Sequence, residues 1–71
     1  MSQDLRKTLA LNLENLRRAK KLKREELSLL LGFDNSYISK LEKERINITI
    51  DKIGKIANYF GIEPYKLLKN K

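Results

Sequence analysis

Between Arg24 and Glu42 the chain reads REELSLLLGFDNSYISKLE, two short apolar-periodic stretches broken by Gly-Phe-Asp-Asn. This stretch constrains the rest. Leu27, Leu30 and Leu31 recur at helical spacing before the break, and Ile38 and Leu41 after it. Gly32 is placed to end the first helix, because it adopts positive φ without a Cβ clash. Phe33 follows as an apolar plug, and Asp34 or Asn35 is placed to cap the next helix. The spacing predicts two helices joined by a tight turn, over about residues 24–43. In a basic chain this arrangement points to DNA.

Charge matters because it selects partners. The 71 residues carry 16 Lys and Arg against 9 Asp and Glu, a formal net charge of +7. That favours an anionic partner such as nucleic acid, though a solvated basic surface has the same balance. Without Cys there is neither a disulfide framework nor a zinc finger, and a reducing cytosol fits. Without His the commonest general base and metal ligand is missing. No nucleophile with its base, carboxylate pair, glycine-rich phosphate loop or cofactor fingerprint stands out. Neither enzymatic activity, a metal nor a cofactor is expected. No apolar run approaches the ~20 residues of a membrane span. The first residues lack a signal peptide's continuous apolar core, so a cytoplasmic protein is expected. A single domain over 1–71 is expected to bury only about 60% of its unfolded surface, and dimerisation is one way to add stability.

In chain order, residues 4–19 predict a first helix with Leu5, Leu9, Leu13 and Leu16 on one stripe. Ser2 is a candidate N-cap, and Asp4 suits the positive end of the macrodipole. Leu22 anchors the connection. Lys23 and Arg24 open the second helix with positive charge at free N–H groups, which suits a phosphate as well as plain solvation. In the loop after the third helix, Lys43 and Arg45 are placed to touch phosphate. Thr49 is the expected cap of a fourth helix, with Asp51 in its first turn. Ile50, Ile53, Ile56, Ala57 and Phe60 form its stripe, Gly54 marks a close helix approach, and Gly61 ends it. Pro64 opens a last short helix, 64–69. Leu67 and Leu68 there cannot both sink into one small core. One of them, with Tyr65, either caps the monomer or packs on a second copy.

The third helix, expected over 35–43, buries Ile38 and Leu41. Ser36, Lys40 and Lys43 then project from the opposite side, Tyr37 and Ser39 flank them, and Asn35 leads. Amide, hydroxyl and ammonium groups are what a major-groove helix needs: Asn pairs with adenine, Lys donates to guanine, Ser donates or accepts. Tyr37 has two readings, a phosphate or thymine-methyl contact and partial core burial. Glu42 falls near the buried side, within reach of Arg17, as an architectural ion pair rather than a catalytic group.

The chain resembles the lambda-repressor-like helix-turn-helix family, the Cro/Xre type. The resemblance runs through LENLRRAKKLKREELSLLLGF and then DNSYISKLEKERINITIDKIGKIANYFGIEPYKLL. It is carried by Leu16, Arg17, Leu27, Gly32, Ile38, Ser39, Glu42, Asn47, Ala57, Gly61 and Leu67. SYISKLEKERIN and GIEPYKLL are similar to small stand-alone regulators, the controller proteins of restriction–modification systems among them. The resemblance implies an all-α, five-helix domain that binds a pseudo-palindromic operator as a homodimer. The dimer contact is expected over about 62–69, at Ile62, Tyr65, Leu67 and Leu68. It places Asn35, Ser36, Tyr37, Ser39 and Lys40 at DNA-reading positions, Arg24 where the family often has a Gln that braces a base contact or touches phosphate, and Asn47 at a backbone-contacting or loop-bracing position. Several residues depart from the family pattern. Lys23 replaces the usual Ser or Thr cap, Arg24 a Gln, Ser28 a small Ala, and Glu44 a frequent Gly. The expected function is a sequence-specific DNA-binding transcriptional regulator with no small-molecule ligand. The alternative is a protein-interaction module of the same fold, such as an antitoxin or an adaptor.

Overall fold

Among the described residues, every α-helix stops on the same backbone device. In the computed structural model, which describes residues 4–70, the helices are α1 (Leu5–Ala19), α2 (Arg24–Leu30), α3 (Tyr37–Glu42) and α4 (Ile50–Phe60). Lys21, Gly32, Glu44 and Gly61 follow them with φ of 58°, 75°, 60° and 69°. Each donates its N–H three residues back, and the next residue donates five residues back, as in Lys21 to Arg18 and Leu22 to Arg17. The paired bonds use up carbonyls that the helix end leaves open and turn the chain sharply. Four such turns within about 40 residues fold a short chain back on itself repeatedly. At Gly32 and Gly61 the residue type announces the turn, whereas at Lys21 and Glu44 a side chain occupies the left-handed region.

The helix starts are less uniform. Asp4 caps α1, its carboxylate accepting from the Arg6 and Lys7 amides; Ser2 lies outside the described residues. Lys23 supplies no side-chain cap to α2; instead Glu26 accepts from the Lys23 N–H at 2.8 Å. Thr49 caps α4 by accepting from Lys52, and Asp51 stands in its first turn as expected.

The helices share one core of Leu9, Leu13, Leu27, Leu31, Ile38, Leu41, Ile56, Ala57 and Leu67. Helix α1 packs on α3, and α2 on α3, while both α1 and α4 hold the C-terminal segment. The expected stripes were too wide. Leu5 is half exposed, Leu30 more than half, and Ile50, first residue of α4, is 84% exposed. A short helix crossing a small core presents only the middle of its stripe to it. Gly54 marks no close approach either, since a Cβ there meets nothing within 4 Å.

The last element is also corrected. Pro64–Leu67 is a single 3-10 turn, not a fifth α-helix. Pro64 sets its start, and four residues cannot sustain an α-helix alone. What fixes it is Asn12 of α1, a buried residue whose side-chain amide donates to the carbonyls of Leu67 (2.8 Å), Lys69 (3.0 Å) and Lys66 (3.3 Å). Thr8 adds a bond to the Asn70 side chain at 3.0 Å. Leu67 is thereby drawn fully into the core.

Candidate nucleic-acid interface

Helix α3 is only six residues long, so its neighbours must place it. It begins at Tyr37 rather than Asn35, and neither Asp34 nor Asn35 caps it directly. The cap comes from another helix. The Ser28 hydroxyl of α2, fully buried, accepts from the Ile38 N–H at 3.0 Å and donates to the Arg24 carbonyl at 3.0 Å. One hydroxyl therefore satisfies itself and pins the start of α3 onto α2. Asp34 organises the turn before it, accepting from the Ser36 amide (3.3 Å) and the Ser36 hydroxyl (2.7 Å). Those bonds hold the Asp34 carboxyl below its ordinary value. They also occupy the Ser36 proton, leaving that hydroxyl its acceptor lone pairs for any base edge.

Ile38 and Leu41 are sunk in the core, so the opposite face of α3 points outward. Asn35, Lys40 and Lys43 are exposed, and Ser36 and Ser39 half-buried. Asn35 lies within 3.5 Å of the Glu25 carboxylate, at the long limit for a bond. Tyr37 turns inward. Its ring packs edge-on against Phe33 with centroids 4.8 Å apart, and burial pushes its hydroxyl up from its ordinary pKa. The ring is partly buried against the core, as one of its two sequence readings has it.

Under the far end of α3 lies a three-membered charge cluster. Arg17 donates Nε to Glu42 Oε2 at 2.8 Å and Nη2 to Oε1 at 3.1 Å, and its Nη1 donates to the Leu22 carbonyl at 2.8 Å. The bonds to the Glu42 carboxylate hold Arg17 above its ordinary value. Arg24 also donates Nε to Glu42 Oε1 at 2.8 Å. The Glu42 side chain is 2% exposed and that of Arg24 42%. The guanidinium of Arg24 is thus anchored at Nε while its other end faces solvent. Lys23, Arg45 and Asn47 are exposed without side-chain bonds among the described residues.

Sequence reasoning missed Lys52 and Lys55 of α4. The Lys52 ammonium stands 4.5 Å from the Tyr37 ring centroid and 5.5 Å from that of Phe33; Lys55 stands 5.4 Å from Phe33. Both occupy α4 positions beside the apolar stripe, and only the aromatic pair across the turn gives them a location. Among the described residues no cluster of acidic groups is arranged to hold a metal, and no helix is long and apolar enough to cross a membrane.

With this geometry in place, a family model described as helix-turn-helix matches residues 13–67. The chain belongs to the helix-turn-helix family of the Cro/Xre type. A hypothetical transcription factor of Neisseria meningitidis serogroup B is 41% identical over 66 residues, 93% of this chain. The chain spans 62% of that relative's length. The crystal structure of a hypothetical transcription factor from Neisseria superposes with a TM-score of 0.90 at 40% identity, covering 94% of this chain and 77% of the other. The restriction–modification controller protein C.AhdI of Aeromonas hydrophila superposes at 0.79 with 35% identity, covering 87% and 94%. In this helix-turn-helix domain α2 and α3 are the paired helices, and the outward strip of α3 is its candidate reading surface.

Proposed function

We propose that the protein is a sequence-specific DNA-binding transcriptional regulator that lays α3 in the major groove of a pseudo-palindromic operator. The carrying observation is that strip: Asn35 and Lys40 exposed, with Ser36 and Ser39 beside them, over a fully buried Ile38. These groups match the donors and acceptors of base edges. Arg24, Lys23, Lys43, Arg45 and Asn47 serve the phosphates, which supply most of the affinity and its salt dependence. The names of the relatives, transcription factor and restriction–modification controller, agree with this role.

The protein acts as a homodimer through its C-terminal face in this reading. Tyr65 is exposed, Leu68 half-buried, and Ile62 joins Leu16 and Ala19 along a shallow groove of about 230 Å³. Leu67 is withdrawn from that face, because it is spent on the protomer's own core. Two copies place their recognition helices about 34 Å apart, one turn of duplex.

Selection of bound sequences from a random duplex pool tests the whole reading, since it returns site, symmetry and spacing together. Repeated with Lys40→Ala, it is expected to relax preference at one base pair, by about 1–3 kcal/mol. An equal loss on every sequence makes Lys40 a phosphate contact instead.

A further inference from the structure

We propose that Lys52 and Lys55 of α4 are a second phosphate anchor, held in place for double-helical DNA by Tyr37 and Phe33. The inference rests on the reading that α3 enters the major groove. The argument turns on how a cation is localised. Arg17 and Arg24 are held by Glu42, and Arg18 lies against Glu14, so a carboxylate offsets each charge. Lys52 and Lys55 form no ion pair among the described residues. They are held by ring faces, whose quadrupole attracts a cation without cancelling its charge. Lys52 sits 4.5 Å from the ring of Tyr37, the first residue of α3 and the neighbour of Ser36 in the reading strip. Lys55 stands over Phe33 in the turn between α2 and α3, where a Cβ on Gly32 would come within 3.5 Å of its ammonium. The pair therefore supplies full positive charge beside the leading edge of α3. Arg24 lies at the start of α2, and Lys43 and Arg45 follow α3, so the three sets border the strip from separate elements. A duplex whose groove receives α3 has sugar–phosphate backbones on both sides of it, and cations on both sides fit that geometry.

Binding of the full chain to a random-sequence duplex, followed by fluorescence anisotropy across salt concentrations, tests this. Each phosphate contact contributes about 0.9 to the slope of log affinity against log salt. Lys52→Gln is expected to lower the slope by about 0.9 and to weaken binding roughly tenfold near 0.1 M salt, while Lys52→Arg keeps the slope. Lys55→Gln is expected to act in the same direction. Lys7→Gln, at the start of α1, makes the same change in net charge and is expected to leave the slope alone. Thermal unfolding of each variant separates lost contact from lost fold, since loss of structure alone does not remove one unit of slope. If the native chain binds duplex and Lys52→Gln tracks Lys7→Gln, the anchor is refuted and the major-groove reading stands. If the native chain fails to bind duplex at any salt, or prefers single-stranded DNA or RNA, both fall.

Discussion

Ser28 shows how much one hydroxyl decides. In a six-residue helix the first free N–H groups are a large share of its bonding, and Ser28 reaches across from α2 to take that of Ile38. Ser28→Ala leaves this buried N–H without an acceptor and is expected to destabilise the protein by about 1–2 kcal/mol in urea unfolding. An unchanged midpoint would mean that α3 is held by packing alone. Glu44 is the opposite case, a residue whose backbone works against it. It sits at φ 60°, where a Cβ is unfavourable, yet it closes α3 with the same paired bonds that Gly32 and Gly61 make. Glu44→Gly is expected to raise stability by about 0.5–1 kcal/mol, the relieved strain exceeding the added freedom of the unfolded chain. It also removes a negative charge beside Lys43 and Arg45, so duplex binding is expected to tighten.

Among the elements, the C-terminal 3-10 turn depends most on its neighbours. Four residues do not hold this shape unaided. Asn12 gathers two of the turn's carbonyls and that of Lys69 just beyond it at 2.8–3.3 Å, and Leu67 fills the core beneath. Asn12→Ala is expected to lower stability by about 2 kcal/mol and to speed hydrogen exchange after Pro64 before it does so in α3. Uniform loss of protection would show instead that the turn unfolds only with the whole. The charge cluster at Glu42 acts between elements as well, tying α1 and α2 to the end of α3. Glu42→Gln is expected to destabilise by about 3 kcal/mol, because it strands Arg17 with 10% of its side chain exposed. Arg17→Met together with Glu42→Leu is expected to recover most of that loss, as apolar replacements of buried pairs do.

For the whole molecule, the proposed dimer must be tested away from the core. Leu67→Asp places a charge in the protomer's interior, so it reports folding, not assembly. Tyr65→Asp is the sound probe, because its side chain is exposed. It is expected to halve the mass seen by sedimentation while leaving the helical circular dichroism intact. Native chain already sedimenting as a monomer at high concentration would exclude the dimer.

Much of this molecule could be read without coordinates, and the division has a physical cause. Helix positions, the Gly32 and Gly61 stops, the Thr49 cap and the buried faces at Leu13, Ile38 and Ile56 follow from neighbours within about four residues, and periodicity records them directly. The outward strip of α3 followed in turn, being the complement of its buried side. What needed the tertiary structure were bonds between distant residues: Asn12 to Leu67, Ser28 to Ile38, Arg24 to Glu42, Lys52 to Tyr37. Short-range spacing leaves such partners unspecified, and it also leaves open how far each stripe extends into the core, which is why periodicity puts Leu30 and Ile50 inside while both lie outside. Local stereochemistry chose the helices, whereas burial in a core this small chose which of their side chains remained free to meet another molecule.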